Sequence, residues 1–164
     1  MSMRPQSIPD IPEETVAVAR AAFPKGNVYM PMRDHLGSLY EDDQFGDLFS
    51  KEGQPAERPW RLALVTIMQF AENLTDRQAA DAVRGRIDWK YALGLSLTDA
   101  GFHYSVLSEF RTRLIEHEAE QRLFAHRATL RVEVMLEQFK TRGWVKAGGR
   151  QRSDSTHILG AIAA

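Results

Sequence analysis

The chain has 164 residues, a formal net charge of −1 and no cysteine, with 43% hydrophobic and 26% charged residues. This composition is that of an ordinary globular protein, and it excludes a disulfide framework, a cysteine zinc ribbon and a thiol nucleophile. The charge is uneven: residues 1–57 hold five Lys/Arg against ten Asp/Glu, and residues 58–164 hold sixteen against twelve. An acidic head before a mildly basic body permits nucleic-acid binding without demanding it.

Pro5, Pro9 and Pro12 keep residues 4–12 extended, and Met1 to Pro5 has no secretory pattern. Pro12 suits the first turn of a helix over about 12–22, with Glu13 and Glu14 near its positive end. That helix stops before Pro24, and Lys25-Gly26-Asn27 forms a turn. Between Asp34 and Phe49 two short helices are expected. The first uses Leu36, Leu39 and Tyr40, the second Phe45, Leu48 and Phe49. The loop Lys51 to Pro55 then separates an acidic helical extension (1–57) from a helical domain (58–142).

Pro59 opens a helix to about Glu72 whose apolar residues, Trp60, Leu62, Leu64, Val65, Ile67, Met68 and Phe70, cover most of its circumference. It belongs at the centre of a bundle, with Ile67 and Phe70 buried. The same window is broken by Arg61, Thr66 and Gln69, so no membrane span is expected. Thr75-Asp76-Arg77-Gln78 has the capping-box pattern and starts a helix over about 76–85. A short helix follows at 88–93, ending at Gly94. Ser105 is the expected N-cap of a helix to about Glu116, with Leu107, Phe110 and Leu114 on its apolar face. A long helix spans about 119–142 through Phe124, Ala128, Val132, Met135 and Phe139. Residues 143–164 contain a short C-terminal strand.

The fold class is therefore all-α, a helical bundle with a helix-turn-helix-like unit built from the helices at 60–72, 76–85 and 105–116. Such units place a helix in the major groove, where polar and basic side chains meet base edges. Ser108, Arg111 and Arg113 form the first candidate DNA-reading set, with Tyr104, Ser105 and Thr112 beside them. Arg77, Gln78 and Arg84 form the competing set. Arg111 is the better base-reading candidate, since it shares a face with Ser108 while Arg113 points partly away. A helical bundle that never touches DNA is the commoner outcome of such a pattern. His35, His103, His117, His126 and His157 are scattered and suit surface or capping roles rather than a metal site. The tryptophans suit the core.

Four blocks, in order, resemble the N-terminal domain of insertion-sequence transposases of the InsH type. They are Gly53-Gln54-Pro55 with Pro59 to Val65, Leu74 to Val83 leading into Ile87 to Leu95, Phe102 with Ser105 to Arg111 and Arg113-Leu114, and Gly149 to His157. The resemblance implies DNA transposition, with the N-terminal helices recognising terminal inverted repeats. Partners would then be that DNA, further copies of the chain or an intact transposase, at the nucleoid in the cytoplasm. It also implies an RNase H-like catalytic domain with an Asp-Asp-Glu triad and two Mg²⁺ ions in a full-length relative. Asp154 matches the first acid of that triad and its metal-binding role, on the strand that opens the catalytic domain. Ser155 to Ala164 contains neither Asp nor Glu, so no residue here can take the second Asp or the Glu, and the chain is expected to be cut off where the catalytic domain begins. On this reading the chain is catalytically incomplete, carries no cofactor of its own and leaves DNA uncut. The alternative is a helical interaction module that pairs with an intact transposase without binding DNA itself.

Overall fold

A computed structural model describes residues 2–37 and 39–124 together with Glu137 and Thr141. The element order is α1 (Glu13–Ala22), α2 (Tyr29–Leu36), a 3-10 helix (Asp42–Leu48), α3 (Pro59–Glu72), α4 (Asp76–Gly85), α5 (Ile87–Leu93), α6 (Ser105–Glu116) and a second 3-10 helix (Glu120–Phe124). The fold is all-α. Extended chain pairs, among the described residues, only where Ser2 meets Ser50 and Pro55 in isolated bridges.

α3 is the central element. Pro59 occupies its first turn, where no amide donor is needed. Ten of its residues are buried, from Pro59 and Trp60 to Ala71. Ile67 is 1% exposed, as expected, whereas Phe70 is only half-buried. It lies near the end of the helix, past the thickest part of the core. Asn73 then turns left-handed (φ 56°) and its amide closes on Gln69 and Phe70. α3 packs against α4, α6 and the first 3-10 helix. One apolar cluster joins Trp60, Leu64 and Ile67 to Leu107, Phe110 and Leu114 of α6, and to Val28, Tyr40, Phe45 and Leu48 from the acidic head. The core is thus continuous across the Lys51–Pro55 loop. Ala19, Met30 and Tyr91 make a smaller cluster where α1, α2 and α5 meet.

Two helix starts differ from expectation. The first helix after the Gly26 turn is Tyr29–Leu36, ending before Gly37 at φ 62°, not one built on Leu36, Leu39 and Tyr40. Asn27 is the reason: its Oδ1 accepts from the amides of Tyr29 (3.0 Å) and Met30 (3.2 Å), satisfying orphan donors of the first turn. Pro31 sits early enough in that helix to be tolerated. Leu39 and Tyr40 instead lie in the connection and are still buried. The Phe45–Leu48 segment is a 3-10 helix opened by a reciprocal capping box between Glu41 and Gln44. At the second start, Ser105 is the first residue of α6 rather than its cap, and no side chain of the N-cap residue Tyr104 bonds back. His103 supplies the local acceptor, its Nδ1 3.3 Å from the Ser105 amide.

The Thr75–Gln78 capping box forms as the sequence requires, in both directions. α5 ends at Gly94 in the left-handed region (φ 63°). Of the long helix expected over 119–142, the described part is the 3-10 turn Glu120–Phe124, with Glu137 and Thr141 helical. The rest of that segment, and the expected C-terminal strand, lie outside the described residues.

Candidate nucleic-acid interface

The two helices that carry the candidate DNA-reading residues are joined by one ionic clamp. Arg111 of α6 donates from Nη1 and Nη2 to both carboxylate oxygens of Asp76, at 2.8 and 2.7 Å. Gln69 of α3 donates to the same Asp76 Oδ1 at 2.8 Å. Asp76 sits in the first turn of α4, where the helix end favours a negative charge. A two-pronged guanidinium–carboxylate pair holds orientation as well as distance, so α3, α4 and α6 are locked at this corner.

The Arg111 hydrogen bonds hold the Asp76 carboxyl below the usual aspartate range, and burial only partly opposes them. A carboxylate whose folded pKa is depressed contributes stability that is complete above its unfolded pKa, about 3.9. That contribution is lost as pH falls through the folded value. Asp76→Asn should therefore lower Tm at pH 7, with the gap to the unsubstituted protein closing below about pH 4. Thermal melts of the two proteins between pH 3 and 7 test this; a gap of constant size would show that the clamp's charge contributes nothing.

The remaining candidates divide by exposure. Arg113 is turned inward: Nη1 donates to the Leu48 carbonyl at 3.1 Å, and its guanidinium lies 4.9 Å from the Phe49 ring centre. Gln78 is exposed and is used by the α4 capping box. Ser108 is exposed, its hydroxyl donating back to the Ser105 carbonyl at 2.8 Å. Arg77 and Arg84 are exposed and lie on one stripe of α4, seven residues apart. Both reach the loop before α6. Arg84 Nε donates to the Ala100 carbonyl at 3.3 Å and Nη1 to Asp81 at 3.3 Å. Arg77 Nη2 donates to the Tyr104 hydroxyl at 3.0 Å, with its guanidinium 4.3 Å from that ring's centre. Gly101 allows the loop to come this close. Its φ is 69°, and a Cβ there would stand 3.3 Å from Val83 Cγ1.

A second polar centre has no counterpart in the sequence reading. Glu72, at the end of α3, accepts from Trp89 Nε1 (3.0 Å), from Arg86 Nη1 (2.6 Å) and from the Tyr29 hydroxyl. Arg86 also holds Asp88 through two hydrogen bonds, at 2.7 and 3.1 Å, and Asn27 donates to the same Asp88 at 3.2 Å. Burial first, then the Glu72 charge, raise the Tyr29 pKa, so its hydroxyl stays a donor. The signal was an acid ending the mostly apolar α3 and an Arg-x-Asp opening α5. Neither says which partner each will find. Among the described residues, no three His, Asp or Glu side chains are grouped to hold a metal ion. Asp154 lies outside the described residues.

A helical domain with a clamped three-helix corner and an exposed pair of arginines defines a class, not a protein. Residues 17–113, more than half of the chain, match the family described as "Transposase domain (DUF772)". The chain belongs to that family, which supports a role in transposition. Comparison with curated proteins gives no match, and comparison with solved structures gives none either. Among the described residues, no helix is long and apolar enough to cross a membrane.

Proposed function

We propose that this protein binds the DNA ends of an insertion-sequence element of the InsH type, through the face formed by α4 and the start of α6. The observation that carries this is the placing of Arg77 and Arg84. They are exposed, on one stripe of α4, beside a segment that also presents His103, Tyr104 and Ser108. Family membership supplies the context of transposition, and guanidinium groups are suited to phosphate oxygens. Arg111 and Arg113 play a supporting part, because each is half-buried against its internal partner whereas Arg77 and Arg84 are exposed.

A gel-shift with the element's terminal inverted repeats tests the reading, with scrambled duplex of equal length as control. Selective retardation is expected, weakening as salt rises because bound cations leave the phosphates. The double substitution Arg77→Ala, Arg84→Ala should lower affinity for both DNAs and flatten the slope of log affinity against log salt by about 0.9 per lost phosphate contact. No retardation of either DNA by a folded chain would overturn the proposal in favour of a module that only pairs with an intact transposase.

A further inference from the structure

We infer that the α4–α6 face takes an unpaired nucleobase, by stacking on the His103–Tyr104 pair, rather than only the outside of a closed duplex. The inference rests on the DNA-binding reading above and narrows its substrate. His103 is exposed, and its ring lies 4.1 Å from that of Tyr104 with a 35° tilt. The ring is oriented by Ser105, whose hydroxyl is 2.9 Å and amide 3.3 Å from Nδ1. Tyr104 is oriented in turn by the Arg77 guanidinium, which both lies against its ring and bonds its hydroxyl. Three flat π-systems from two elements are thus held together, with His103 and Arg77 exposed and Tyr104 half-buried.

Flat side chains of this kind recognise the face of a base. In a closed duplex every base face is covered by its neighbours and only edges are offered, whereas an unpaired base exposes its whole plane. Here the exposed guanidiniums of α4 are Arg77 and Arg84, with the Asp81 carboxylate between them on the same stripe. Arg111 of α6 faces Asp76, and Arg113 faces Leu48. On this reading Arg77 and Arg84 meet the backbone beside the displaced nucleotide.

The test uses the full chain, a single strand of about 20 thymidines, and a duplex of equal length. Tyr104→Ala and His103→Ala should each weaken single-strand binding about tenfold, several times more than they weaken duplex binding. Tyr104→Phe, which keeps the ring and removes the hydroxyl, should stay close to the unsubstituted protein. A strand carrying 5-iododeoxyuridine should photo-cross-link to the peptide containing His103 and Tyr104. Equal losses on both DNAs, or no loss on the strand, would overturn the stacking inference and leave duplex-end binding standing. Failure of the chain to bind either DNA would remove both. A strand bound through Tyr104 by a chain that shows no preference for the terminal repeats would sustain the stack and sink the transposon-end reading. His103→Ala, at an exposed position, keeps the test valid if Tyr104→Ala fails to fold.

Discussion

Glu72→Ala is expected to lower unfolding free energy by about 1–3 kcal/mol, the range for leaving a buried donor without its acceptor. The carboxylate is 16% exposed and accepts from Tyr29 of α2 and from Arg86 and Trp89 at the start of α5. Alanine takes the acceptor from Trp89 Nε1, whose ring is wholly buried, and leaves a buried donor with its desolvation cost of about 1–3 kcal/mol. It also removes one of the two carboxylates that Arg86 joins, so Asp88 alone must balance that guanidinium. Glu72→Gln keeps an acceptor oxygen while losing the charge, and should cost clearly less. Urea denaturation of the three proteins measures this. A loss below about 1 kcal/mol for Glu72→Ala would mean that the network adds nothing beyond surface ion pairing.

Ile67→Ala should cost about 2–5 kcal/mol, since it removes a fully buried branched side chain from the middle of α3 and leaves a cavity. Phe70→Ala, although it deletes a larger group, should cost less in the same experiment. Phe70 is half-buried near the end of the helix, so part of its ring is already hydrated and water can fill the space. The order of the two is the useful result. A larger loss at Phe70 would place the thick part of the core at the wrong end of α3. The proposed DNA binding, by contrast, should be little affected by either change while the protein remains folded.

Much of the helical framework was legible because its signals are local. Pro59 at the start of α3, the Thr75–Gln78 capping box and Gly94 after α5 each act within a turn of the chain, and each stands where the residues put it. The starts that were misread are also instructive. Asn27 caps a helix that contains Pro31, a residue that argues against a helix unless it lies in the first turn. At α6 a serine in a favourable cap position yields that role to the histidine before it.

The candidate site was less legible, for a reason that Arg111 makes plain. An arginine on the polar side of an amphipathic helix reads as free to meet DNA. Its use depends on which acid the fold brings to it, and here that is Asp76, 35 residues away in the chain. Arg113 is likewise drawn to Leu48, 65 residues away. Arg77 and Arg84 stay at the surface because the loop they touch offers carbonyl and hydroxyl oxygens at its own exposed edge.

The sequence alone determined that this is a helical protein with an apolar central helix, because periodicity, caps and breakers act between neighbours a few residues apart. The resemblance it carries to transposases agrees with the family it belongs to. Only the tertiary structure decided that the acidic head shares the main core, that Glu72 gathers Tyr29, Arg86 and Trp89, and which arginines remain outside. Those outcomes depend on contacts between distant segments, and a charged side chain takes whichever partner packing sets within about 3 Å of it.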